Sequence, residues 1–334
     1  MVYQVMCFWA ESKLSMENFL SVVTLLLAAT LYGCGGGGGG GGTGTPGGAA
    51  SPSTGAAPTT MAMVSIFAPG VTLNSPKHVL FSGDNLYVAN QPDILKISSA
   101  GVLLQSYAVT NPIGIGTQSN NIYHTGGPAT DVGIFQLGSP TYLVDRLASN
   151  NFDGIAFYST NMMFVANVTY VLVYTNFSNP VRINLTSAPV ALAADVAKGR
   201  VYLTTDDGKV GFMDPTNPSA GVTNLTQTSP ARWGPLQRPN GLVVAPNGFA
   251  YVVSQGDTSG NGGYVSKIDT TTGVTEVLVS DSVGSWGAVP VGFCGPTGIT
   301  IDSTNENLFV SNGSCSASYS GYGNRNKILK IKLP

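Results

Sequence analysis

The stretch RPNGLVVAPNGFAYVVS, residues 238–254, contains two short apolar runs, GLVV and FAYVVS, separated by the residues Ala-Pro-Asn-Gly. Both runs are rich in valine and aromatic residues, and the residues between them favour a turn, so the stretch predicts a β-hairpin. A proline stands before the first run, and a single variable residue separates that proline from a glycine. This arrangement, with either proline or phenylalanine before the variable residue and in most copies glycine after it, recurs along the chain and determines the fold.

Six copies of this hairpin pattern follow one another after residue 64. Taking the residue before the variable position as the start, they begin at 76, 112, 152, 189, 239 and 296, so the spacing runs from 36 to 57 residues. Paired short strands at a drifting period of about 40 are typical of β-propeller blades. Each repeat also has room for two more strands, as in DILKIS at 93–98. We therefore predict an all-β fold, a six-bladed β-propeller.

The sixth repeat lacks one strand. It ends at KILKIKLP, residues 327–334, after only three strand-like runs, whereas AMVSIFA at 62–68 precedes the first repeat and has no place in it. We predict that this N-terminal run supplies the outer strand of the sixth blade. Such a closure would cover two strand edges at once.

Two of the strand motifs carry a family resemblance. NLYVAN at 85–90 and MFVAN at 163–167 resemble the repeats of NHL and YVTN-type β-propellers. The resemblance covers nearly all of residues 64–334. It implies an architecture and says little about chemistry, because propellers carry many unrelated functions.

The composition narrows the class of protein. Of the 334 residues, 43% are hydrophobic and only 10% are charged, against about 25% charged in an average soluble domain. The net charge of −2 provides no basic field for nucleic acid, so we expect no nucleic-acid partner. Few charges and many small polar residues favour an exported all-β protein.

The N-terminal segment predicts export and anchoring. Residues 19–32 form an apolar run shorter than the roughly 20 residues that span a bilayer, which is typical of a signal peptide. The run ends in Leu-Tyr-Gly-Cys at 31–34, which resembles the lipobox of bacterial lipoproteins, although Tyr32 departs from the usual small residue. The resemblance implies that residues 1–33 are removed and that Cys34 is lipidated. An ordinary secretory signal is the alternative, and both Met1 and Met16 remain candidate starts.

The residues after Cys34 predict a tether. Eight glycines at 35–42 and a Gly/Ser/Thr/Pro-rich run to residue 60 cannot bury a core. We therefore expect three parts: a signal peptide at 1–33, a lipidated cysteine with a disordered linker at 34–60, and the propeller at 61–334. The residue directly after Cys34 is Gly35 and not an aspartate. In bacteria that sort lipoproteins by this position, the resemblance implies delivery to the outer membrane of the cell envelope.

Two further cysteines, Cys294 and Cys315, flank the first hairpin of the sixth repeat. Their midpoint lies in the turn STNEN at 303–307, and residues equidistant from a hairpin turn face each other. We predict a disulfide between them, which an exported protein allows. The alternative is two separate buried thiols.

In a propeller, the loops that lead into the inner strands and out of the second strands share one face, so they mark a candidate site. The variable residue of each repeat should line the channel mouth there: Lys77, Ile113, Asp153, Val190, Asn240 and Thr297. Long loops of blades four to six add Trp233 and Trp286 as possible stacking surfaces. The alternative is that these aromatic side chains pack their own loops.

A second resemblance concerns catalysis. The Pro-Asn-Gly segment at 239–241 is similar to that of the gluconolactonase-like, calcium-dependent hydrolases, a six-bladed family. The resemblance implies that Asn240 is a metal ligand, with Asp153 as a second candidate. However, Thr297 and Lys77 stand where that family has metal-binding acids, and a hard cation prefers several oxygen ligands with carboxylates among them. We therefore expect no cofactor, with calcium as the one metal that the resemblance supports.

These observations favour a non-catalytic function, a membrane-anchored binding or scaffold module whose ligand is an unspecified small molecule, glycan or protein. The alternative is a divergent metal-dependent esterase or lactonase-type hydrolase, so enzymatic activity stays open. A lyase of the kind found among NHL-like propellers would need more histidines than His78 and His124, the only two in the chain.

Overall fold

The described residues of the propeller form 24 short strands. The computed structural model describes residues 62–126, 133–139, 142–144, 154–225, 236, 238–256, 262–280, 292–313, 315–318 and 323–334, all within one unit at 56–334. These described residues form no α-helix, and their helical turns are short 3₁₀ segments such as Pro218–Ala220. None of the described segments is a helix long and apolar enough to span a membrane.

The strands are named in chain order. The first half of the chain contains β1 (Met63–Phe67), β2 (Pro76–Ser82), β3 (Asn85–Asn90), β4 (Asp93–Ser98), β5 (Leu103–Ala108), β6 (Ile115–Gln118), β7 (Asn121–Gly126), β8 (Gly133–Gln136), β9 (Tyr142–Val144), β10 (Ile155–Ser159), β11 (Met162–Asn167) and β12 (Tyr170–Thr175). The second half contains β13 (Ser178–Asn184), β14 (Pro189–Asp195), β15 (Arg200–Thr205), β16 (Val210–Met213), β17 (Thr223–Asn224), β18 (Pro239–Val244), β19 (Phe249–Ser254), β20 (Tyr264–Asp269), β21 (Thr275–Ser280), β22 (Pro296–Ile301), β23 (Asn307–Asn312) and β24 (Lys327–Lys332).

These strands form six antiparallel sheets of four, and each sheet is one blade. Blades 1 to 5 are β2–β5, β6–β9, β10–β13, β14–β17 and β18–β21, and blade 6 is β22–β24 with β1. Each inner strand contacts the inner strands of the two neighbouring blades, from β2 through β6, β10, β14, β18 and β22 back to β2. The ring is therefore closed, and the predicted six-bladed fold is confirmed.

The closing strand is the one that the sequence predicts. β1 pairs antiparallel with β24, so that Met63 lies opposite Lys332 and Phe67 lies opposite Ile328. The ring of Phe67 meets that of Phe309 edge to face at 4.9 Å. A strand from the start of the domain is thus fixed to a sheet from its end, which closes the ring non-covalently.

The cores lie between blades, and this explains the apolar second strands. Each second strand is covered on both faces by neighbouring blades, so runs such as Leu86–Ala89 and Leu308–Val310 are almost completely buried. A strand buried on both faces reads as a continuous apolar run instead of alternating. Six clusters of buried side chains result, one at each blade interface.

The predicted disulfide is present in blade 6. Cys294 and Cys315 are bonded, with their Cα atoms 4.9 Å apart. They lie just beyond the paired part of the β22–β23 hairpin, in which Pro296 faces Asn312. The hairpin therefore brings the two thiols together as the spacing indicates, and the bond ties the loops on the face where β22 begins.

Candidate ligand-binding cleft at the channel mouth

The variable residue of the repeat is a β-bulge. In four blades the pairing of the inner strand with the second strand skips one residue directly after the opening proline: Lys77, Val190, Asn240 and Thr297. A bulged residue has no cross-strand partner, and its side chain can be aimed away from the sheet. The repeat therefore varies at this position because the sheet does not constrain it.

Two bulge side chains are bonded to the next blade. The Asn240 amide donates through Nδ2 to the carbonyl oxygen of Pro296 at 3.3 Å, and the Thr297 hydroxyl donates to the carbonyl oxygen of Pro76 at 2.9 Å. The Thr297 hydroxyl also lies 3.0 Å from the Ser311 hydroxyl. Asn240 and Thr297 thus connect blade 5 to blade 6 and blade 6 to blade 1, a structural role that the sequence did not reveal.

The remaining predicted site residues divide into two groups. Lys77 is exposed, whereas Ile113 and Val190 are half-buried at the starts of their blades. Four predicted residues lie outside the described residues: Asp153, Trp233, Trp286 and Cys34, the predicted lipidation site. The structure therefore places Lys77, Asn240 and Thr297 on one face, and the position of Asp153 at the channel mouth stays a prediction.

A cleft of about 280 Å³ opens on this face where blades 3, 4 and 5 meet. Its polar lining comes from Asp206, Arg238, Asn240 and Gln255, and its apolar lining from Val168, Val190 and two prolines, Pro189 and Pro239. Val190 and Asn240 are the bulge residues of blades 4 and 5. The cleft therefore combines one carboxylate, one guanidinium and two amides with a small apolar wall.

The backbone holds the polar groups of the cleft in place. Two hydrogen bonds join Asp206 to Ala188, the residue before the opening proline of blade 4. The Asp206 N–H donates to the Ala188 carbonyl at 2.9 Å, and the Ala188 N–H donates to Asp206 Oδ1 at 3.0 Å. In blade 5 the Gln255 N–H donates to the Arg238 carbonyl at 3.1 Å. Arg238 has a left-handed backbone, with φ of 51°. The loops before and after the first hairpin of blade 4 thus form one side of the cleft, and the same two loops of blade 5 form the other side.

Asp207, the residue after Asp206, forms an ion pair with Lys209. Burial of the Asp207 carboxyl raises its pKa, but hydrogen bonds from Lys209, Thr205 and Ser187 outweigh this effect and lower the pKa to about 2. The Lys209 ammonium lies 2.5 Å from Asp207 Oδ2. Because Lys209 is paired with Asp207, its charge is directed away from the Asp206 carboxylate of the cleft.

Sequence reasoning did not find Asp206, Arg238 or Gln255. They belong to three separated segments, and none is part of a recognisable motif. One signal was available, since Asp206 and Gln255 each directly follow a second strand, and those loops share the face of the bulge residues. A residue-by-residue comparison of these loop starts would have identified both.

The two histidines lie at the interface between blades 1 and 2. His78 is paired with Ala89, and His124 with Ile115; both partners belong to the apolar cluster of that interface. The Nδ1 atoms of both rings are buried, and among the described residues neither has a hydrogen-bond partner. Burial lowers the pKa of each ring to about 4. This placement indicates a structural role for both histidines.

The cleft offers little to a calcium ion. Nowhere in the described parts of the chain do three or more His, Cys, Asp or Glu side chains gather as a metal site. Asn240 provides a single neutral oxygen, since its amide nitrogen faces the Pro296 carbonyl, and Arg238 brings a positive charge to the same cleft. Calcium takes six to eight oxygen ligands, so these residues alone do not fit it.

Comparisons with known proteins show the fold alone. No family model matches the chain, and no curated protein matches its sequence. The structure is similar to a gluconolactonase of Xanthomonas campestris, with a TM-score of 0.58, 12% identity, and coverage of 82% of this chain and 90% of that chain. It is also similar to Kuenenia stuttgartiensis hydrazine synthase (TM-score 0.52, 15% identity, 72% and 75% covered) and to the WD40 propeller domain of Doa1 (0.53, 12%, 78% and 79%). Propellers of such different functions share only the architecture.

Proposed function

We propose that this protein is a lipid-anchored binding module of the bacterial cell envelope, and that the cleft between blades 4 and 5 binds a small polyhydroxylated ligand such as a sugar unit. The observation that carries this proposal is the composition of the cleft. Asp206 accepts hydrogen bonds, Arg238 donates them, and the amides of Asn240 and Gln255 do both.

The dimensions of the cleft support a small ligand. Its volume of about 280 Å³ is at the lower end for small-molecule sites, which range over roughly 300–1,000 Å³. The apolar wall around Val168 and Val190 suits the less polar face of a sugar ring. Trp233, five residues before Arg238 in the sequence, would add a stacking surface of the kind that amphipathic rings prefer.

Isothermal titration calorimetry of the mature protein against monosaccharides and short oligosaccharides tests this proposal. Asp206→Asn keeps an oxygen for the Ala188 N–H and removes the charge, so the fold should persist while affinity for a bound sugar falls about tenfold, which corresponds to about 1.4 kcal/mol. Asp84→Asn, at an exposed turn of blade 1, is the matched control and should leave the affinity unchanged. Equal losses in both variants, or no binding of any sugar by the wild-type chain, would contradict a sugar site at the cleft.

The metal-dependent hydrolase is the second candidate, favoured by the position of Asn240 in the cleft. It requires further oxygen ligands, of which Asp153 is the one that the sequence suggests. Calcium titration of the wild-type protein and of Asn240→Ala distinguishes the two functions. If the wild-type protein binds calcium at micromolar concentration and Asn240→Ala does not, the result supports the hydrolase and justifies a screen of lactones and esters. If the wild-type protein binds no calcium even at millimolar concentration, the result supports the binding module.

A further inference from the structure

The outer rim of blade 1 presents three consecutive exposed apolar side chains. Val102, Leu103 and Leu104 are exposed to 59%, 46% and 53% of their surface. The other large exposed apolar residues in the described parts of the chain do not follow one another in sequence. Single exposed apolar residues are ordinary, but a contiguous group of them marks an interaction surface.

Local backbone structure holds these side chains outward. The turn before β5 is closed by bonds from the Gly101 N–H to the Ser98 carbonyl and from the Ser98 N–H to the Val102 carbonyl, both 2.9 Å. Leu104 is then skipped in the pairing of β4 with β5, where Ile97 faces Leu103 and Lys96 faces Gln105. A bulge of this kind turns a side chain away from the sheet. The group is therefore a formed projection of the rim.

The exposed apolar surface extends from β5 to β1, the strand that closes the ring. Gly101 packs so closely against Ala68 that an added methyl group would lie 3.2 Å from the Ala68 Cα atom. Ala68 directly follows β1, in which Met63 and Ile66 are exposed to 68% and 42%. We call Met63, Ile66, Val102, Leu103 and Leu104 the apolar rim. It includes the strand to which the predicted tether at 34–60 connects.

The strand that pairs with β1 brings positive charge to the apolar rim. β1 and β5 contain no charged residue, whereas β24, the partner of β1, carries Lys327, Lys330 and Lys332 and no acid. Lys332 lies opposite Met63 in the pairing and is exposed. Three acids lie close to these strands. Glu306 and Asp84 are at turns, where their carbonyls accept the Leu333 and Ser99 N–H groups, and Asp93 in β4 accepts a bond from the Ser106 hydroxyl of β5.

We propose that the apolar rim lies on the surface of the lipid bilayer, with the exposed Lys332 at the end of β24 facing anionic headgroups. This inference rests on the proposed anchoring at Cys34. A flexible linker of this length has an end-to-end distance of about 30 Å, which brings the propeller to the membrane without fixing its orientation. Apolar side chains flanked by lysines are the composition of surfaces that lie in the bilayer interface.

This orientation has a consequence for the cleft. Blades 6 and 1 carry the apolar rim, and the interface of blades 3 and 4 lies across the ring from them. The cleft, where blades 3, 4 and 5 meet, is therefore on the far side of the propeller from the membrane. A ligand from the aqueous phase reaches it without obstruction by lipid.

Site-specific fluorescence on tethered protein tests the proposal. The unit 56–334 contains every strand of the six sheets, and its only cysteines form the disulfide. An N-terminal hexahistidine tag holds it on vesicles of phosphatidylethanolamine and phosphatidylglycerol with a nickel-chelating lipid, so the result does not depend on Cys34. An environment-sensitive dye is attached at Leu104→Cys and, as the matched control, at Val196→Cys, which is 61% exposed in blade 4.

We expect the dye at position 104 to shift to shorter wavelength and to be quenched by spin-labelled lipid chains, and the dye at 196 to stay in water. Without the tag, Leu103→Ser with Leu104→Ser should weaken binding to these vesicles about tenfold, and Val196→Ser with Val274→Ser should not change it. Equal quenching at 104 and 196 would overturn the proposal. Shielding of the dye at 104 without vesicles would also overturn it, because a second protein copy would then cover the rim. If the proposed lipid anchor at Cys34 is wrong, the protein will not associate with membranes in cells, but the results of these vesicle experiments will not change. The two proposals can therefore fail independently.

Discussion

At the scale of single residues, Gly298 allows the inner strands of blades 6 and 1 to approach each other closely. A methyl group at this position would lie 2.9 Å from the Cα atom of His78 and 3.0 Å from the nitrogen of Val79. Both are backbone atoms of the next inner strand, so no side-chain rotation relieves the contact. Gly298→Ala should therefore lower the free energy of unfolding by about 1–3 kcal/mol, measured by urea denaturation.

Gly70→Ala is the matched control for this substitution. No atom lies within 4 Å of a methyl group added at Gly70, and its backbone is not left-handed. We expect a change within about 0.5 kcal/mol, as for other surface substitutions. A similar loss in both variants would mean that the close approach of inner strands does not limit the size of residue 298.

Protonation of the two interface histidines should reduce stability in mild acid. The pKa of His78 and of His124 is about 4 in the folded protein and 6.5 in the unfolded chain, because burial disfavours the charged ring. Between pH 6.5 and 4 the unfolded chain therefore binds more protons, and the free energy of unfolding falls as the pH falls, by at most about 3 kcal/mol per histidine. Above pH 6.5 these groups contribute no slope.

Urea denaturation between pH 7.5 and 4.5 measures this dependence. The double variant His78→Gln with His124→Gln should show a flatter profile over that range. Asp207 does not interfere, because its stabilising contribution, present above pH 3.8, is lost only as the pH falls toward its folded pKa of about 2. An unchanged slope in the double variant would show that other groups cause the acid sensitivity.

At the scale of elements, β1 determines whether the ring stays closed. A chain that begins at Ala62 retains β1, whereas one that begins at Pro69 lacks it and leaves the backbone groups of β24 unpaired at an apolar edge. The shorter chain also loses the buried Phe67 ring, and removal of such a ring alone costs about 3–5 kcal/mol. We expect the first chain to unfold cooperatively and the second to aggregate, by calorimetry and light scattering. Equal melting temperatures would contradict the closing role of β1.

The elements also show what the sequence could and could not predict. The opening proline recurs in five blades, the glycine in four, and the apolar second strand in all six, because each blade meets the same geometric demand. The repeats could therefore be predicted from the sequence, as could the closing strand and the disulfide. The bonds of Asn240 and Thr297 to the next blade were not, because they depend on the approach of residues 56 and 221 positions apart. The cleft was missed for the same reason, since Asp206 and Arg238 meet only once blades 4 and 5 are side by side.

At the scale of the whole molecule, the two proposed surfaces serve different purposes. The cleft is a neutral combination of Asp206 and Arg238 at the channel mouth, and the apolar rim lies at the outer edge of blades 6 and 1. The six blades fix these surfaces relative to each other, while the predicted linker at 34–60 leaves the propeller free to turn. If both proposals hold, we expect the composition of the rim to determine the orientation at the membrane and the cleft to determine which ligand binds.

The anchor itself is tested by Cys34→Ala in a bacterial host that processes lipoproteins. If the thiol of Cys34 carries the lipid, the variant loses its acyl chains, and a propeller with so weak a surface attachment as the apolar rim should move from the membrane to the soluble envelope fraction. Cys7→Ala is the matched control, because residue 7 lies in the segment predicted to be removed, and this variant should stay membrane-bound and incorporate labelled palmitate. If the Cys34→Ala chain remains in the membrane and still incorporates palmitate, the prediction that Leu-Tyr-Gly-Cys is a lipobox is wrong. If it remained without palmitate, the apolar run at 19–32 would be acting as an uncleaved anchor.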